Sequence, residues 1–258
     1  MKLERGEGLK GKRKVKIYGG RAGYNSVSFT GARYYSLSQF KNGVVITETT
    51  MKEPERKISI LLSKIPFVRS FSMIIDLIIG HWKRFTFALI LLLLVEVLMM
   101  GRKSTFLIHH LPFNTLELLS GLLVMAGLII KLSNVASYHG AEHMVSNAYD
   151  RGSELTIEKV KNYPRTHKDC GTNMIISFFI CYSILFYLFG DTVFVYLVAW
   201  MIGFELWRKE PPIIWDTILV IGRGVQYLLY TSKPTEKHLI VAMEAMKRLV
   251  EKEQAANE

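Results

Sequence analysis

The sequence contains only two cysteines, Cys170 and Cys181, among its 258 residues. Two cysteines are too few for a disulfide framework, and they lie in very different surroundings, one polar and one apolar. The N-terminal segment MKLERGEGLKGKRKVK has no apolar stretch behind its charges, so no secretory signal peptide is expected. Both absences favour reduced thiols on a cytosol-facing site.

Acidic residues are also fewer than basic ones: the sequence has 22 Asp and Glu and 33 Lys and Arg, which gives a formal net charge of +11. A surplus of this sign indicates an anionic partner, either nucleic acid or a lipid surface. The basic residues flank apolar blocks, and no RNP-like motif is present. The charge pattern therefore favours membrane lipids as the partner over nucleic acid.

Long apolar blocks nearly free of charge separate the basic segments. Four of them approach the length that a bilayer needs: residues 85–100, 115–132, 173–189 and 192–207. Residues 65–84 and 213–230 are also apolar but carry charged side chains, each of which costs roughly 2.5–3.5 kcal/mol at the bilayer centre. We expect the first of these to be interfacial or packed inside the bundle, and the second to be interfacial or re-entrant.

Four spans place every Lys and Arg except Arg102 and Lys103 on one side of the membrane. The positive-inside rule then predicts a multi-pass protein of the cell membrane with both termini in the cytoplasm. The predicted organisation is a cytosolic basic segment with a small β unit (1–64), a helical membrane domain (65–230) and a cytosolic helix (231–258).

The two ends of the chain have soluble patterns. Alternating β-branched and aromatic residues between Lys16 and Thr50 predict the β unit, and Asn42-Gly43 predicts a hairpin within it. The glycine-rich segment 18–23 is interpreted as a tight turn. The tail predicts an amphipathic helix capped at Thr235. The fold class is therefore mainly α: a polytopic helical membrane protein with a small N-terminal β unit.

The polar segment 133–173 carries the residues with recognisable chemistry. If residues 137–149 are helical, His139 and His143 lie one turn apart on one face, as two imidazoles that share a metal ion do. Glu142 completes an H-x-x-E-H pattern, in which the Glu acts as general base on a metal-activated water. His167 and Cys170 offer a second pair of ligands. Interfacial or capping roles remain the alternative for the histidines.

Four ligands from His139, His143, His167 and Cys170 would make a closed, structural zinc site, whereas three would leave an open, catalytic one. The spacing does not choose between them. Glu205, near the end of the fourth span, is a second candidate; the interpretation we favour is an ion pair with Arg208 or Lys209, or a position already at the level of the lipid headgroups.

The segments YHGAEH (138–143) and HKDCGT (167–172) together resemble the bacterial YqhQ-like membrane proteins, which carry Y-H-G-A-E-H followed by H-P-R-C-G-T. The resemblance extends to Gly19-Gly20, to IPFVRS (65–70), to Glu205 and to the ending at 222–250. It implies a metal-dependent enzyme without an established substrate. Asn25 and Thr30 stand where the family has Glu and Arg, a departure that bears on whether activity is retained.

Two hypotheses follow. The first is a membrane zinc protein with hydrolase activity at the cytosolic membrane surface, using Glu142 as general base and His139, His143 and His167 or Cys170 as ligands to Zn²⁺. The second is a non-catalytic factor that assists another membrane protein complex, for example in protein insertion or translocation. In that case the His/Cys cluster is structural. A transporter is less favoured, because the spans carry few charges and no pair of broken helices.

Overall fold

The computed structural model describes residues 14–54, 56–87, 90 and 114–256. The strands are Gly19–Ala22 (β1), Ser26–Thr30 (β2), Tyr34–Lys41 (β3) and Val44–Met51 (β4). The helices are Lys57–Ser63 (α1), Ser70–Gly80 (α2), Thr115–Leu132 (α3), Val135–Asp150 (α4), Ile157–Val160 (α5), Gly171–Phe189 (α6), Val193–Lys209 (α7), Pro212–Val225 (α8), a π-helix at Gln226–Tyr230, and Glu236–Ala255 (α9). Residues 82–87 are also helical. The described chain is thus mainly helical with an N-terminal four-stranded antiparallel sheet, which confirms the coarse fold prediction.

The described residues form two compact units. One, the sheet unit, consists of residues 14–53, 127–170 and 223–256; the other, the helical unit, consists of the described parts of 54–126 and 171–222. Both units are built from segments that are far apart in the sequence. The predicted division at residues 64 and 230 follows the sequence only and stays a prediction.

The sheet has the strand order β1-β2-β3-β4, with every pair antiparallel. Asn42 (φ 52°) and Gly43 (φ 83°) link β3 to β4, so the predicted hairpin is confirmed. The predicted tight turn at 18–23 is wrong. Gly19 and Gly20 lie in β1, opposite Thr30 and Phe29, and neither has positive φ. Gly20 is instead needed because β1 packs closely against α4, where a Cβ at Gly20 would lie 2.0 Å from Glu142 Oε1.

The core of the sheet unit lies between the sheet, α4 and α9. The apolar stripe predicted on the tail is buried throughout: Leu239, Val241, Ala242, Ala245, Met246 and Leu249. It packs with Val27 and Phe29 of β2 and with the buried face of α4. The Thr235 cap is also observed, with His238 as its reciprocal partner. The tail is therefore an integral part of this unit's core.

Glu253 fixes the last turns of α9 to the β2–β3 connection. Its Oε1 accepts hydrogen bonds from the backbone N–H groups of Arg33 (2.7 Å) and Tyr34 (2.9 Å). A Cβ at Gly31 would lie 2.3 Å from the same oxygen, so only glycine leaves the carboxylate room. This buried carboxylate satisfies two backbone N–H donors, which would otherwise have to bond to water.

In the helical unit, α6 and α7 pack closely because Gly203 has no side chain. A Cβ there would lie 2.7 Å from the backbone nitrogen of Phe178. Glu205 of α7 binds the Arg69 guanidinium through both oxygens and accepts the N–H of Phe67 at 2.9 Å. Lys209 lies 3.6 Å away, as the favoured interpretation of Glu205 expected, but the main partner, Arg69, was not anticipated.

Two helices of the described chain, α3 and α6, are long and apolar enough to cross a bilayer by length and composition. They correspond to the spans predicted at 115–132 and 173–189. The span predicted at 192–207 is the 17-residue helix α7. The span predicted at 85–100 falls almost entirely outside the described residues.

Candidate metal centre

Helix α4 carries the two histidines of the H-x-x-E-H motif on one face, as the spacing predicted. The ring centroids of His139 and His143 are 4.3 Å apart. Cys170, just before α6, comes back to the same place, with its Sγ 3.6 Å from His139 Nε2. One ligand atom from each of these three residues lies within 4.8 Å of the other two. Residues 31 positions apart therefore converge on one point, where His143 and Cys170 are buried and His139 is half-buried.

Each histidine has an acceptor on its Nδ1 side. His139 Nδ1 donates to the carbonyl of Tyr230 at 3.1 Å. His143 Nδ1 lies 2.5 Å from Glu142 Oε2, although neither of its ring nitrogens meets hydrogen-bond geometry with a described residue. Both rings are thus left with Nε2 as the nitrogen for a ligand. Backbone carbonyls and carboxylates play this orienting role around metal-binding histidines in general.

Glu142 is 4% exposed, and both of its oxygens have neighbours. Oε2 faces His143, and Oε1 accepts a hydrogen bond from Ser146 Oγ at 3.1 Å. Strand β1 covers the same carboxylate: a Cβ at Gly20 would lie 2.0 Å from Oε1. The general-base role of Glu142 stays a prediction, and its contacts describe a carboxylate that orients His143.

Opposite charges in the cluster shift its pKa values strongly. Burial alone would raise the pKa of Glu142, but the His143 imidazolium outweighs burial and holds it at about 2. Burial alone would lower the pKa of His143, and the Glu142 carboxylate instead raises it to about 10. Burial opposes ionisation of Cys170 too, yet its hydrogen bond with His139 and the nearby His143 imidazolium lower its pKa to about 5. Without an ion, the cluster therefore pairs the Glu142 and Cys170 anions with the His143 imidazolium, and a bound cation would replace the proton on His143 Nε2.

The donor set fits a zinc ion. A tetrahedral zinc with Zn–N of about 2.1 Å and Zn–S of about 2.3 Å sets the nitrogen and sulfur about 3.6 Å apart. That is the separation of His139 Nε2 and Cys170 Sγ. His143 is 3% exposed with no hydrogen bond of standard geometry to its ring nitrogens within the described chain, a state that a bound ion would relieve. Imidazole and thiolate are ligands that zinc prefers.

The structure places His167 beside this cluster, in a second group with Asp150 and Asp169. Its ring centroid is 5.7 Å from that of His143. His167 Nε2 lies 3.2 Å from Asp150 Oδ2, and its Nδ1 accepts the N–H of Asp169 at 3.3 Å. The hydrogen bond from His167 lowers the pKa of Asp150. Both ring nitrogens of His167 are thus engaged outside the three-residue cluster.

Gln226, which the sequence argument did not select, ties the His167 turn in place. It is fully buried; its Oε1 accepts the N–H of His167 at 2.8 Å, and its Nε2 donates to the His167 carbonyl at 3.1 Å. Gln226 begins the π-helix that ends with Tyr230, the acceptor for His139. A short π-helix of this kind is often found at a functional site. The available signal was the position of Gln226 within the ending shared with YqhQ-like proteins.

Gly140, between the motif histidines, lets α4 lie against the segment that follows the π-helix. A Cβ at Gly140 would lie 2.4 Å from the Ser232 carbonyl oxygen. The Ser232 N–H donates to the Ala136 carbonyl at 2.9 Å. The glycine in YHGAEH is therefore explained by the close packing of α4 against this segment. Asn25, at the family's Glu position, is exposed and donates to the Phe40 carbonyl at 3.1 Å.

Comparison with known proteins identifies the family of this chain. Residues 51–252, well over half of the chain, match the family described as "Protein of unknown function (DUF1385)". The chain belongs to this family. It is also 27% identical over 257 residues to "Uncharacterized protein YqhQ" of Bacillus subtilis (strain 168), covering 92% of this chain and 78% of that relative. The resemblance to YqhQ-like proteins is thus confirmed. No solved structure matches the chain.

Gly20→Ala tests the contact between β1 and Glu142. The new Cβ would overlap the Glu142 carboxylate, which is held by His143 and Ser146, so we expect a loss of about 1–3 kcal/mol in the free energy of unfolding. Gly19→Ala is the matched control, because nothing lies within 4 Å of a Cβ there. Thermal unfolding of the purified variants measures both. Equal melting temperatures for the two variants would contradict the contact.

Gln226→Ala tests the support of the His167 turn. Losing two buried hydrogen bonds should let the turn open more often, and alkylation of the buried Cys170 should accelerate about tenfold. The rate is measured with iodoacetamide in a Cys181→Ala background, so that Cys170 is the only thiol. Gln39→Ala, at an exposed glutamine of β3, is the control. An unchanged rate in Gln226→Ala would show that the turn does not need this side chain.

Proposed function

We propose that this chain is a multi-pass membrane protein that binds zinc through His139, His143 and Cys170 and acts as a hydrolase at the cytosolic membrane surface. The observation that supports this best is the convergence of three ligand atoms within 4.8 Å in a buried cluster. Three protein ligands leave one coordination position open, as catalytic zinc sites do. A zinc ion there would act as a Lewis acid and lower the pKa of bound water.

The residues around the cluster have definite tasks in this proposal. The Tyr230 carbonyl and the Glu142 carboxylate orient the two imidazoles, and Gln226 holds the turn that delivers Cys170. Low exposure of His143 and Cys170 excludes bulk water from the site and strengthens its electrostatic interactions. Glu142 acts mainly by position, because both of its oxygens already have partners.

The membrane part of the proposal is supported by the exposed apolar surface of α3 and α6. Only 6% of the apolar window in α3 and 33% of that in α6 is buried, unlike the core helix of a soluble protein. Side chains such as Leu128, Ile129 and Ile184 face outward and have lipid as their natural neighbour. The proposed topology has four spans, 85–100, 115–132, 173–189 and 192–207, with both termini cytoplasmic.

A second candidate function is a non-catalytic factor that assists another membrane protein complex, with the cluster as a structural staple. The engagement of both Glu142 oxygens favours it, because no free carboxylate then stands beside the ligands to accept a proton. A zinc ion would in this case only tie Cys170 to α4. An occupied fourth coordination position would distinguish this candidate from the hydrolase.

Metal analysis of the detergent-purified protein tests the ligand set. We expect one zinc per chain by mass spectrometry of the metal, lost in His139→Ala, His143→Ala and Cys170→Ala. His167→Ala should keep its zinc, because the His167 ring nitrogens face Asp150 and Asp169. His81→Ala, at an exposed histidine, is the control. If His167→Ala lost as much zinc as Cys170→Ala, the closed four-ligand site would be the correct description.

Cobalt substitution then separates the two functions. In the hydrolase proposal, the visible spectrum of the Co²⁺ protein changes when azide is added, because azide enters the open position. In the structural alternative the spectrum stays the same. A zinc-free, folded wild-type protein would contradict both descriptions of the cluster.

Reporter fusions test the membrane topology. Alkaline phosphatase, which is active only outside the cytoplasm, should be active when fused after Gly190 and inactive when fused after Lys209 in a bacterial host. Green fluorescent protein at the same junctions should give the opposite pattern. Phosphatase activity at both junctions, or at neither, would contradict the four-span arrangement.

A further inference from the structure

A pocket of about 460 Å³ lies next to the cluster of His139, His143 and Cys170, within the sheet unit. Its lining includes Asn147, Asp150, Arg151, His167, Lys168 and Arg223. His167 is the side chain that connects the pocket to the cluster, since its ring centroid is 5.7 Å from that of His143. The pocket is within the size range of small-molecule sites.

The charge of this pocket is positive. Arg151, Lys168 and Arg223 contribute three cations from three separate segments: the end of α4, the turn before α6 and the end of α8. Asp150 is the single carboxylate among the lining residues, and it already receives His167 Nε2 on its side chain and Lys14 Nζ on its carbonyl. Lys168 also lies 3.6 Å from Asp169 Oδ1, so the two guanidinium groups carry most of the positive charge that the lining offers to a ligand.

The two guanidinium groups suggest which anion this is. A planar guanidinium donates two parallel hydrogen bonds to the oxygens of a phosphate, and two arginines with a lysine match the charge of a phosphate ester. Asn147 is held beside them by its bonds to the carbonyls of Pro164 (2.9 Å) and Thr166 (3.0 Å). In the proposed topology, Lys168 lies five residues before the span 173–189, near the depth of lipid phosphates.

We propose that this pocket binds the phosphate group of the protein's ligand, carried either by an anionic lipid headgroup or by a soluble phosphate ester. The statement that this phosphate belongs to the substrate rests on the proposed hydrolase function. The statement that the pocket binds an anion rests on the pocket and its cations alone. A ligand anchored by its phosphate would then lie beside the cluster of His139, His143 and Cys170.

The test is calorimetric titration of inorganic phosphate into the full chain in phosphatidylcholine nanodiscs. Wild-type protein should bind phosphate, and Arg223→Ala and Lys168→Ala should each weaken binding about tenfold through loss of a charge-assisted hydrogen bond. The matched controls are Arg248→Ala and Lys159→Ala. Arg248 and Lys159 are exposed cations of the same unit that pair with Glu244 and Glu154. Both controls should bind like the wild type.

Nanodiscs that contain phosphatidic acid identify the source of the phosphate. If the lipid occupies the pocket, phosphate binding disappears in them; if a soluble ester is the ligand, phosphate binding persists. Failure of wild-type protein to bind phosphate in phosphatidylcholine would overturn the proposal, as would equal weakening in the variants and their controls.

Zinc is measured on the same samples. Phosphate binding in a protein without zinc would contradict the hydrolase proposal but support the phosphate pocket. Zinc in a protein that does not bind phosphate would contradict the pocket but leave the hydrolase proposal intact. Binding that is lost on zinc removal but is unaffected in both pocket variants would place phosphate on the metal, against the pocket.

Discussion

The buried contact between Glu142 and His143 is the interaction on which the rest of the sheet unit depends. A carboxylate that is 4% exposed is costly to bury unless it is paired and hydrogen-bonded. His143 supplies the opposite charge, and Ser146 supplies a hydrogen bond from one turn further along α4. The carboxylate then occupies the space where a side chain at Gly20 would be, so β1 lies directly on α4. One ion pair thus determines the residue type at a strand position more than 100 residues away.

The cluster combines a regular helix, α4, with a segment that has no regular secondary structure. Cys170 and His167 sit on an irregular turn, and irregular backbone needs support from neighbouring elements to hold a fixed shape. The π-helix provides that support through its two ends, since Gln226 binds the turn and the Tyr230 carbonyl binds His139. Removal of either contact would loosen one ligand while leaving the fold's core, made by α4, α9 and the sheet, intact.

The sequence was informative wherever a local period or a local turn decides the structure. The four-residue spacing of His139 and His143, the Asn42-Gly43 hairpin and the apolar stripe of the tail all depend on neighbours within one turn or one loop. The misjudged positions depend on distant partners. Gly20 was taken for a turn residue, because a glycine required by a side chain 122 positions later leaves no local signal. Gln226 and the Arg69–Glu205 pair were missed for the same reason.

The chemistry of the site also turns on a distant contact. Helical spacing alone puts Glu142 near the same face as both histidines, where it could act on water at a metal. In the folded chain Oε2 is committed to His143, so only Oε1 could accept a proton. Its present partner, the neutral Ser146 hydroxyl, contributes about 1 kcal/mol and would be easy to displace. Gly20 is harder to displace, because it covers the same oxygen with backbone that is paired to β2. For Glu142 to act as a general base, β1 would therefore have to move. The hydrolase proposal is thus supported more by the three metal ligands than by Glu142.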